Sequence, residues 1–107
     1  MLIDGDALVF IDFNDCGPGF RLYELATTLA QNLGEARYPL IERALVGGYL
    51  EVRPQARPEI AHLDLFLLIR SLTYVGWISD RPEMPKAPDL LRLFIDRSLR
   101  LAEKARA

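Results

Sequence analysis

Several residue types that build common functional sites are scarce in this sequence of 107 residues. A single cysteine, Cys16, excludes an internal disulfide and a cysteine-based zinc site. A reducing, cytoplasmic location is the simplest interpretation of that cysteine usage. The one histidine, His62, stands two residues from Asp64, a spacing that does not place two metal ligands on one helix face. We therefore expect a structural or solvated role for His62.

Strong charge of one sign and long apolar runs are also missing. The 13 basic and 15 acidic residues give a net charge of −2, with no basic stripe of the kind that binds nucleic acid. The longest apolar stretches, residues 7–11 and 65–69, are too short to cross a bilayer. We therefore expect neither nucleic acid nor a membrane as a partner. The length suits one domain, residues 1–107, and is too short for a complete kinase or a large barrel.

The order of apolar and turn residues predicts a mainly helical protein with a short N-terminal β-hairpin. Residues 1–20 form the hairpin and a loop, with strands at 2–3 and 7–13 around an Asp-Gly turn. The second strand is mostly apolar and partly β-branched, so we expect it to be buried on both faces. Residues 21–107 form a four-helix subdomain, with helices predicted at about 21–33, 38–50, 58–79 and 89–104.

Glycines indicate two interruptions among these helices. Gly34 is expected to end the first helix, since glycine commonly follows the last helical turn. Gly47 and Gly48 lie inside the second helix, where glycine is costly, and they predict close packing or a break there. The third helix is the most apolar segment and is expected to form the centre of the core.

Candidate chemistry is concentrated where the second strand meets the loop. Asp12 stands between Ile11 and Phe13, and a carboxylate at the end of a buried strand must be hydrogen-bonded, paired or metal-bound. Two interpretations remain open: Asp12 caps the following turn through backbone N–H groups, or it binds a metal ion. The loop contains Gly17, Pro18 and Gly19, a composition typical of sharp turns or of close approach to a ligand.

The sequence Leu-Val-Phe-Ile-Asp-Phe-Asn-Asp-Cys-Gly-Pro-Gly-Phe-Arg-Leu-Tyr-Glu-Leu-Ala, residues 8–26, resembles a segment of the aminoglycoside phosphotransferase and choline kinase-like family. Members typically show Ile-Asp-Phe-Asp-Asp, a glycine-containing loop, and Tyr-Asp-Leu-Ala at a helix start. The later stretch 70–81, with Tyr-Val-Gly-Trp-Ile, resembles a core helix of the same family. The resemblance covers the chain from Met1 to at least Arg81. It implies the C-terminal helical subdomain of a protein kinase-like fold.

By this resemblance, Asp12 matches the aspartate that holds Mg²⁺ against ATP phosphates. Asp15 matches the second acidic position of the motif, where two roles stay open: stabilisation of the loop or contact with the metal ion. Mg²⁺ and ATP are the implied cofactors, and a small molecule with an alcohol group is the implied acceptor. Tyr74 and Trp77 are weak candidates for contacts with that acceptor, although their spacing is also typical of core packing. Asn14 and Glu24 depart from the family pattern, which has aspartate at both positions.

The family's His-Gly-Asp-x-x-x-x-Asn catalytic loop and glycine-rich phosphate loop do not occur in the sequence. We therefore expect a truncated product or a fragment that is inactive alone, without catalytic residues of its own. A lone carboxylate binds Mg²⁺ weakly, because the ion gives up its waters reluctantly. The expected partner is a missing N-terminal lobe or a second copy of the chain. In the second case the protein is a non-catalytic helical interaction module that acts as a homodimer.

Overall fold

The computed structural model describes residues 2–11 and 17–106. Two short strands precede four α-helices, which confirms the predicted mainly helical architecture with an N-terminal hairpin. The elements in chain order are β1 (Leu2–Asp4), β2 (Ala7–Val9), α1 (Arg21–Ala30), α2 (Tyr38–Val52), a 3-10 segment (Pro54–His62), α3 (Leu63–Ser79) and α4 (Ala87–Arg106).

The strands β1 and β2 form an antiparallel ribbon with a two-residue turn. Leu2 pairs with Val9, and Ile3 pairs with Leu8. Gly5 begins the turn with a φ of 61°, a conformation that glycine adopts without steric cost. Among the described residues β2 ends at Val9, opposite Leu2 of β1, whereas the predicted strand continues through residues 10 and 11. Residues 12 and 13 of the predicted strand lie outside the described residues.

The hairpin lies outside the helical body. No Cα of either strand lies within 8 Å of a Cα in any described helix. Every described residue of the hairpin is exposed, and Phe10 and Ile11 beyond it are 65% and 51% exposed. The expectation that the second strand is buried on both faces is therefore wrong for residues 7–11, because no helix reaches either face of the ribbon.

The core lies where α3 packs between α1 and α4. Leu29 of α1 and Leu67 of α3 are almost completely buried, and partly buried side chains of α2 pack against the same cluster. This confirms α3 as the central helix. The opposite side of α3 is not covered: Leu65, Ile69 and Leu72 recur at helical spacing and are all exposed. We refer to these three residues as the α3 stripe.

The helix α1 ends at Ala30, three residues before the predicted end. Asn32 explains the difference, because its side-chain amide donates to the Thr28 carbonyl oxygen at 2.8 Å. Its backbone N–H donates to the Leu29 carbonyl oxygen at 3.0 Å, a tighter turn than the α-helical one. Among the described glycines only Gly5 has a positive φ, so Gly34 does not end the helix by a left-handed turn.

The helix α2 is continuous through Gly47 and Gly48, so the expected break or close packing is wrong. A Cβ at either glycine would meet no atom within 4 Å. The helix packs against α1 and the 3-10 segment, and neither glycine is in close contact with them. None of the residues of α2 is fully buried, although the helix is rich in apolar side chains.

The third helix begins at Leu63 rather than at residue 58. Residues Pro54–His62 form the 3-10 segment instead, with Pro58 inside it. Proline lacks the backbone N–H that an α-helix needs at an interior position, which disfavours an α-helix through this segment. Its Ala56 is fully buried and anchors the segment. None of the described helices is long and apolar enough to cross a membrane.

Candidate functional site

The two residues that the sequence points to as metal ligands, Asp12 and Asp15, lie outside the described residues. Their predicted role is therefore untested by the geometry. The described residues stop at Ile11 before these two positions and continue from Gly17 after them. The candidate site is built from the residues that follow Gly17 and from the helix beneath them.

A groove of about 700 Å³ lies beside the Gly17–Gly19 turn and the start of α1. We call it the loop groove. The described residues that line it are Gly17, Pro18, Gly19, Phe20, Arg21, Tyr23, Glu24 and Ile69. Its wall is partly apolar and carries one cationic and one acidic side chain, both exposed. The groove is open to solvent, unlike the clefts that bury most of a small ligand.

The first turn of α1 supplies one wall of the loop groove. Phe20 precedes the helix in an extended conformation, with φ −74° and ψ 130°, and its ring lies 5.4 Å from the Phe66 ring. Leu25 is buried in the core, which fixes the helix start against α3. Glu24 is exposed and stands in the first turn, where a negative charge favours the helix. The sequence Tyr-Glu-Leu-Ala therefore places Tyr23 and Glu24 at the groove and the next two residues in the core.

Beneath the groove, Arg70 joins three helices. Its guanidinium donates to the Tyr23 hydroxyl at 3.1 Å and to the Tyr74 hydroxyl at 3.3 Å. The guanidinium carbon lies 5.6 Å from the Tyr23 ring centroid and 4.7 Å from that of Tyr74. Tyr74 in turn stacks on Phe94 of α4, with ring centroids 5.1 Å apart. Arg70 on α3 thereby contacts α1 directly through Tyr23, and it is linked to α4 through Tyr74.

The position of Arg70 has an electrostatic consequence for the groove. Its hydrogen bond is the largest influence on Tyr23 and lowers the pKa of that phenol below the ordinary value of 10.0. Within residues 2–11 and 17–106 no carboxylate lies within 4 Å of the Arg70 guanidinium, so neutral hydroxyls are its described acceptors. The Nε of Arg70 is buried with no hydrogen-bond partner in the same residues. Sequence reasoning did not find this cluster, although a lone arginine in the most apolar helix was a signal for it.

The described residues of the loop groove cannot hold Mg²⁺ by themselves. Mg²⁺ needs near-octahedral coordination by oxygen atoms. Glu24 is the acidic side chain among the lining residues. No group of three or more His, Cys, Asp or Glu side chains in the described part of the chain is arranged to hold a metal ion. A magnesium site here therefore needs further carboxylates, and Asp12 and Asp15 are the residues that the sequence offers.

The structure places Tyr74 and Trp77 away from the loop groove. Tyr74 is half-buried between Arg70 and Phe94, as expected for a packing residue. Trp77 is 46% exposed, with the Arg81 guanidinium 4.3 Å from its ring centroid. Neither side chain lines the loop groove, so the described geometry does not bring these acceptor candidates to it.

A second groove, of about 780 Å³, lies on the far side of the helical body beside α2. Its floor includes Val46 and Leu63, and its rim carries an ion pair in which Lys104 Nζ lies 3.3 Å from Asp64 Oδ1. Asp64 therefore has a structural partner, and His62 next to it is exposed. The sequence did not predict this groove. The signal for it is that α2 is rich in apolar residues, none of which is fully buried in the structure.

Comparison with known proteins adds one finding. No protein-family model matches the chain, and no solved structure matches it. An alignment over 74 residues is 34% identical to an uncharacterized protein of Deinococcus radiodurans, and it covers 65% of this chain. The chain spans only 22% of the length of that relative. A segment similar to this chain therefore occurs within a considerably longer protein.

Proposed function

We propose that this chain is the C-terminal part of the helical lobe of an ATP-dependent small-molecule phosphotransferase that works in the cytoplasm. The observation that carries the proposal is the segment 8–26, in which an apolar strand, Asp12 and a glycine loop lead into α1. The described end of this segment lines the open loop groove. The resemblance to the aminoglycoside phosphotransferase and choline kinase-like family implies the reaction, which is phosphoryl transfer from ATP to an alcohol group.

Two uncovered apolar surfaces support a place within a larger protein. The hairpin has no helix against either face, and the α3 stripe is exposed beside the loop groove, which Ile69 lines. Monomeric soluble proteins rarely leave contiguous apolar areas of this kind uncovered. The longer relative from Deinococcus radiodurans is consistent with the same arrangement, because the matched segment is 22% of its length.

In this proposal Asp12, with Asp15, would hold Mg²⁺, which would neutralise charge on the phosphates of ATP. Tyr23 and Arg70 hold the groove wall in position from below. The chain contains no His-Gly-Asp-x-x-x-x-Asn sequence to orient the attacking hydroxyl. We therefore expect no phosphoryl transfer by the chain alone, and activity only together with a lobe that supplies this loop.

Metal binding by the purified chain tests the proposal directly. Mn²⁺ replaces Mg²⁺ as a spectroscopic probe, and electron paramagnetic resonance reports the free ion during a titration. We expect weak binding that Asp12→Asn reduces at least tenfold. Asp6→Asn is the matched control, because Asp6 is an exposed aspartate of the hairpin turn with no proposed role. Equal Mn²⁺ affinity of the Asp12→Asn variant and the wild type would remove the metal role of Asp12.

Activity is measured in parallel with Mg-ATP and a panel of alcohols. Turnover by the chain alone, lost in Asp12→Ala, would contradict the expectation that a second lobe is required. The reading frame upstream of the Met1 codon gives a further test. An in-frame stretch that encodes His-Gly-Asp-x-x-x-x-Asn would supply the catalytic loop that the proposal needs.

A second candidate function is a non-catalytic interaction module. It is favoured by a specific observation, the separation of the hairpin from the helical body. The helical core of α1, α3 and α4 is complete without the hairpin, so the hairpin is available for a partner.

A further inference from the structure

The cluster around Arg70 has more hydrogen-bond donors than acceptors. A guanidinium carries five N–H donors, and two of those of Arg70 reach the hydroxyl oxygens of Tyr23 and Tyr74. Each phenol therefore accepts a hydrogen bond, and neither phenol donates its own proton to another described residue. The Nε of Arg70 likewise has no partner in the described part of the chain. The hydrogen-bonding capacity left over in this cluster thus consists of donors around one positive charge.

The guanidinium of Arg70 is also held in position by aromatic rings. It lies 4.7 Å from the ring centroid of Tyr74, and that ring stacks on Phe94 at 5.1 Å. A donor that is fixed in this way loses little freedom when it binds a ligand. Neutral phenols do not neutralise the charge of Arg70, and a half-buried charge without a counter-ion is costly. An anion that accepts hydrogen bonds here would offset that cost.

The loop groove gives a ligand access to one side of this cluster, because Tyr23 lines it. Arg21, which is exposed in the same wall, adds a second positive charge. Glu24 is the acidic side chain of the described wall, and its effect on the pKa of Tyr23 is the smallest of those that act on this phenol. The largest effect comes from Arg70, so the positive charge dominates at the Tyr23 hydroxyl.

We propose that Arg70 and Tyr23 bind a phosphate group of a small molecule at the loop groove. In this arrangement a free N–H of Arg70 and the O–H of Tyr23 donate to two phosphate oxygens, while Tyr74 keeps the guanidinium oriented. A phosphate fits several donors around one cation because it offers more acceptor oxygens and more negative charge than a carboxylate. The groove is open, so it is the anionic group that is bound and the rest of the ligand stays largely in solvent.

This phosphate site goes beyond the proposed function. It uses described residues alone and needs neither Mg²⁺ nor Asp12. A failure to bind Mn²⁺ would leave the phosphate site intact, and a failure to bind phosphate would leave the proposed metal role of Asp12 intact.

The test is a titration of the ¹⁵N-labelled full chain with inorganic phosphate at neutral pH, followed by NMR. The Nε of Arg70 is buried, so its proton should exchange slowly and give a signal in a ¹H–¹⁵N spectrum. We expect a saturable shift of this signal and of the Tyr23 backbone amide. Judged by the Tyr23 amide, Arg70→Gln should weaken phosphate binding at least tenfold. Judged by the Arg70 signal, Tyr23→Phe should weaken it at least threefold.

Arg81→Gln is the matched control. Arg81 is half-buried like Arg70, its guanidinium lies 4.3 Å from the Trp77 ring centroid, and it donates to the Trp77 carbonyl oxygen. Loss of Arg81 changes the net charge by the same amount, and we expect it to leave phosphate binding unchanged. Sodium chloride at matched ionic strength should give no saturable shift.

Two further measurements complete the test. Far-ultraviolet circular dichroism checks the fold of each variant, and Tyr23→Phe, which keeps the ring, decides the matter if Arg70→Gln does not fold. AMP in place of inorganic phosphate separates the sources of the ligand: binding of both indicates a site for phosphate esters, and binding of inorganic phosphate alone indicates a site for the free ion. The absence of a saturable shift at tens of millimolar phosphate would overturn the proposal. Equal losses in Arg70→Gln and Arg81→Gln, or equally tight binding of acetate, would overturn it as well.

Discussion

The buried serine pair between α3 and α4 allows a quantitative test of the helix packing. Ser71 and Ser98 are buried, and their Oγ atoms lie 2.7 Å apart. The Ser98 hydroxyl also donates to the Phe94 carbonyl oxygen at 2.8 Å. Each hydroxyl has one proton, so the consistent network has Ser71 donating to Ser98 and Ser98 donating to Phe94.

This direction makes the two single substitutions unequal. Ser71→Ala removes a donor but leaves the Ser98 hydroxyl bonded to Phe94, so we expect a loss of about 0.5–1 kcal/mol. Ser98→Ala leaves the Ser71 hydroxyl buried without its acceptor, so we expect a loss of about 1–3 kcal/mol. The double variant leaves no unpaired hydroxyl. It should therefore be more stable than the sum of the single losses predicts, with a coupling energy of about 1 kcal/mol.

Urea unfolding, followed by circular dichroism and by fluorescence of Trp77, gives the free energy of unfolding for all four proteins. The measurements use one protein concentration, because self-association would otherwise contribute to the apparent stability. Each variant should keep the wild-type dependence of the unfolding free energy on urea. A larger loss for Ser71→Ala than for Ser98→Ala would refute the assigned direction, and additive losses would refute the hydrogen bond.

Two further predictions concern α2 and the loop groove. Gly47→Ala and Gly48→Ala should each raise the free energy of unfolding by about 0.5–1 kcal/mol, because both positions are helical and have open space for a Cβ; a loss of stability in urea unfolding would contradict this. Arg70→Gln should raise the pKa of Tyr23, because it removes the hydrogen bond that lowers it. Absorbance near 295 nm during an alkaline titration, compared with Tyr23→Phe, identifies that phenol, and an unchanged titration in Arg70→Gln would contradict the assigned cause.

The helices could be predicted from the sequence because their apolar residues recur at helical spacing. The start of α1 at Arg21 and the start of α2 at Tyr38 agree with the prediction. The boundaries that failed depend on local competition that periodicity does not encode. Asn32 ends α1 early through its own side chain, and Pro58 favours a 3-10 segment over the first turns of α3.

The candidate site was predictable only in part. A motif in the sequence identified Asp12 and Asp15, which lie outside the described residues, so those roles stay predictions. The Arg70 cluster could not be predicted from the sequence because its members are far apart in the chain: Arg70 and Tyr23 are 47 positions apart. A long-range hydrogen bond of this kind depends on how α1 crosses α3, which no local pattern determines.

The two candidate functions assign different partners to the same surface, the hairpin. The apolar pattern of residues 7–11 predicts burial on both faces, whereas the structure leaves these residues exposed. This mismatch is informative, because a sequence pattern reflects the contacts of the working protein, and the described chain does not contain those contacts. A lobe that supplies the catalytic loop would provide such contacts, and so would the partner of a non-catalytic interaction module.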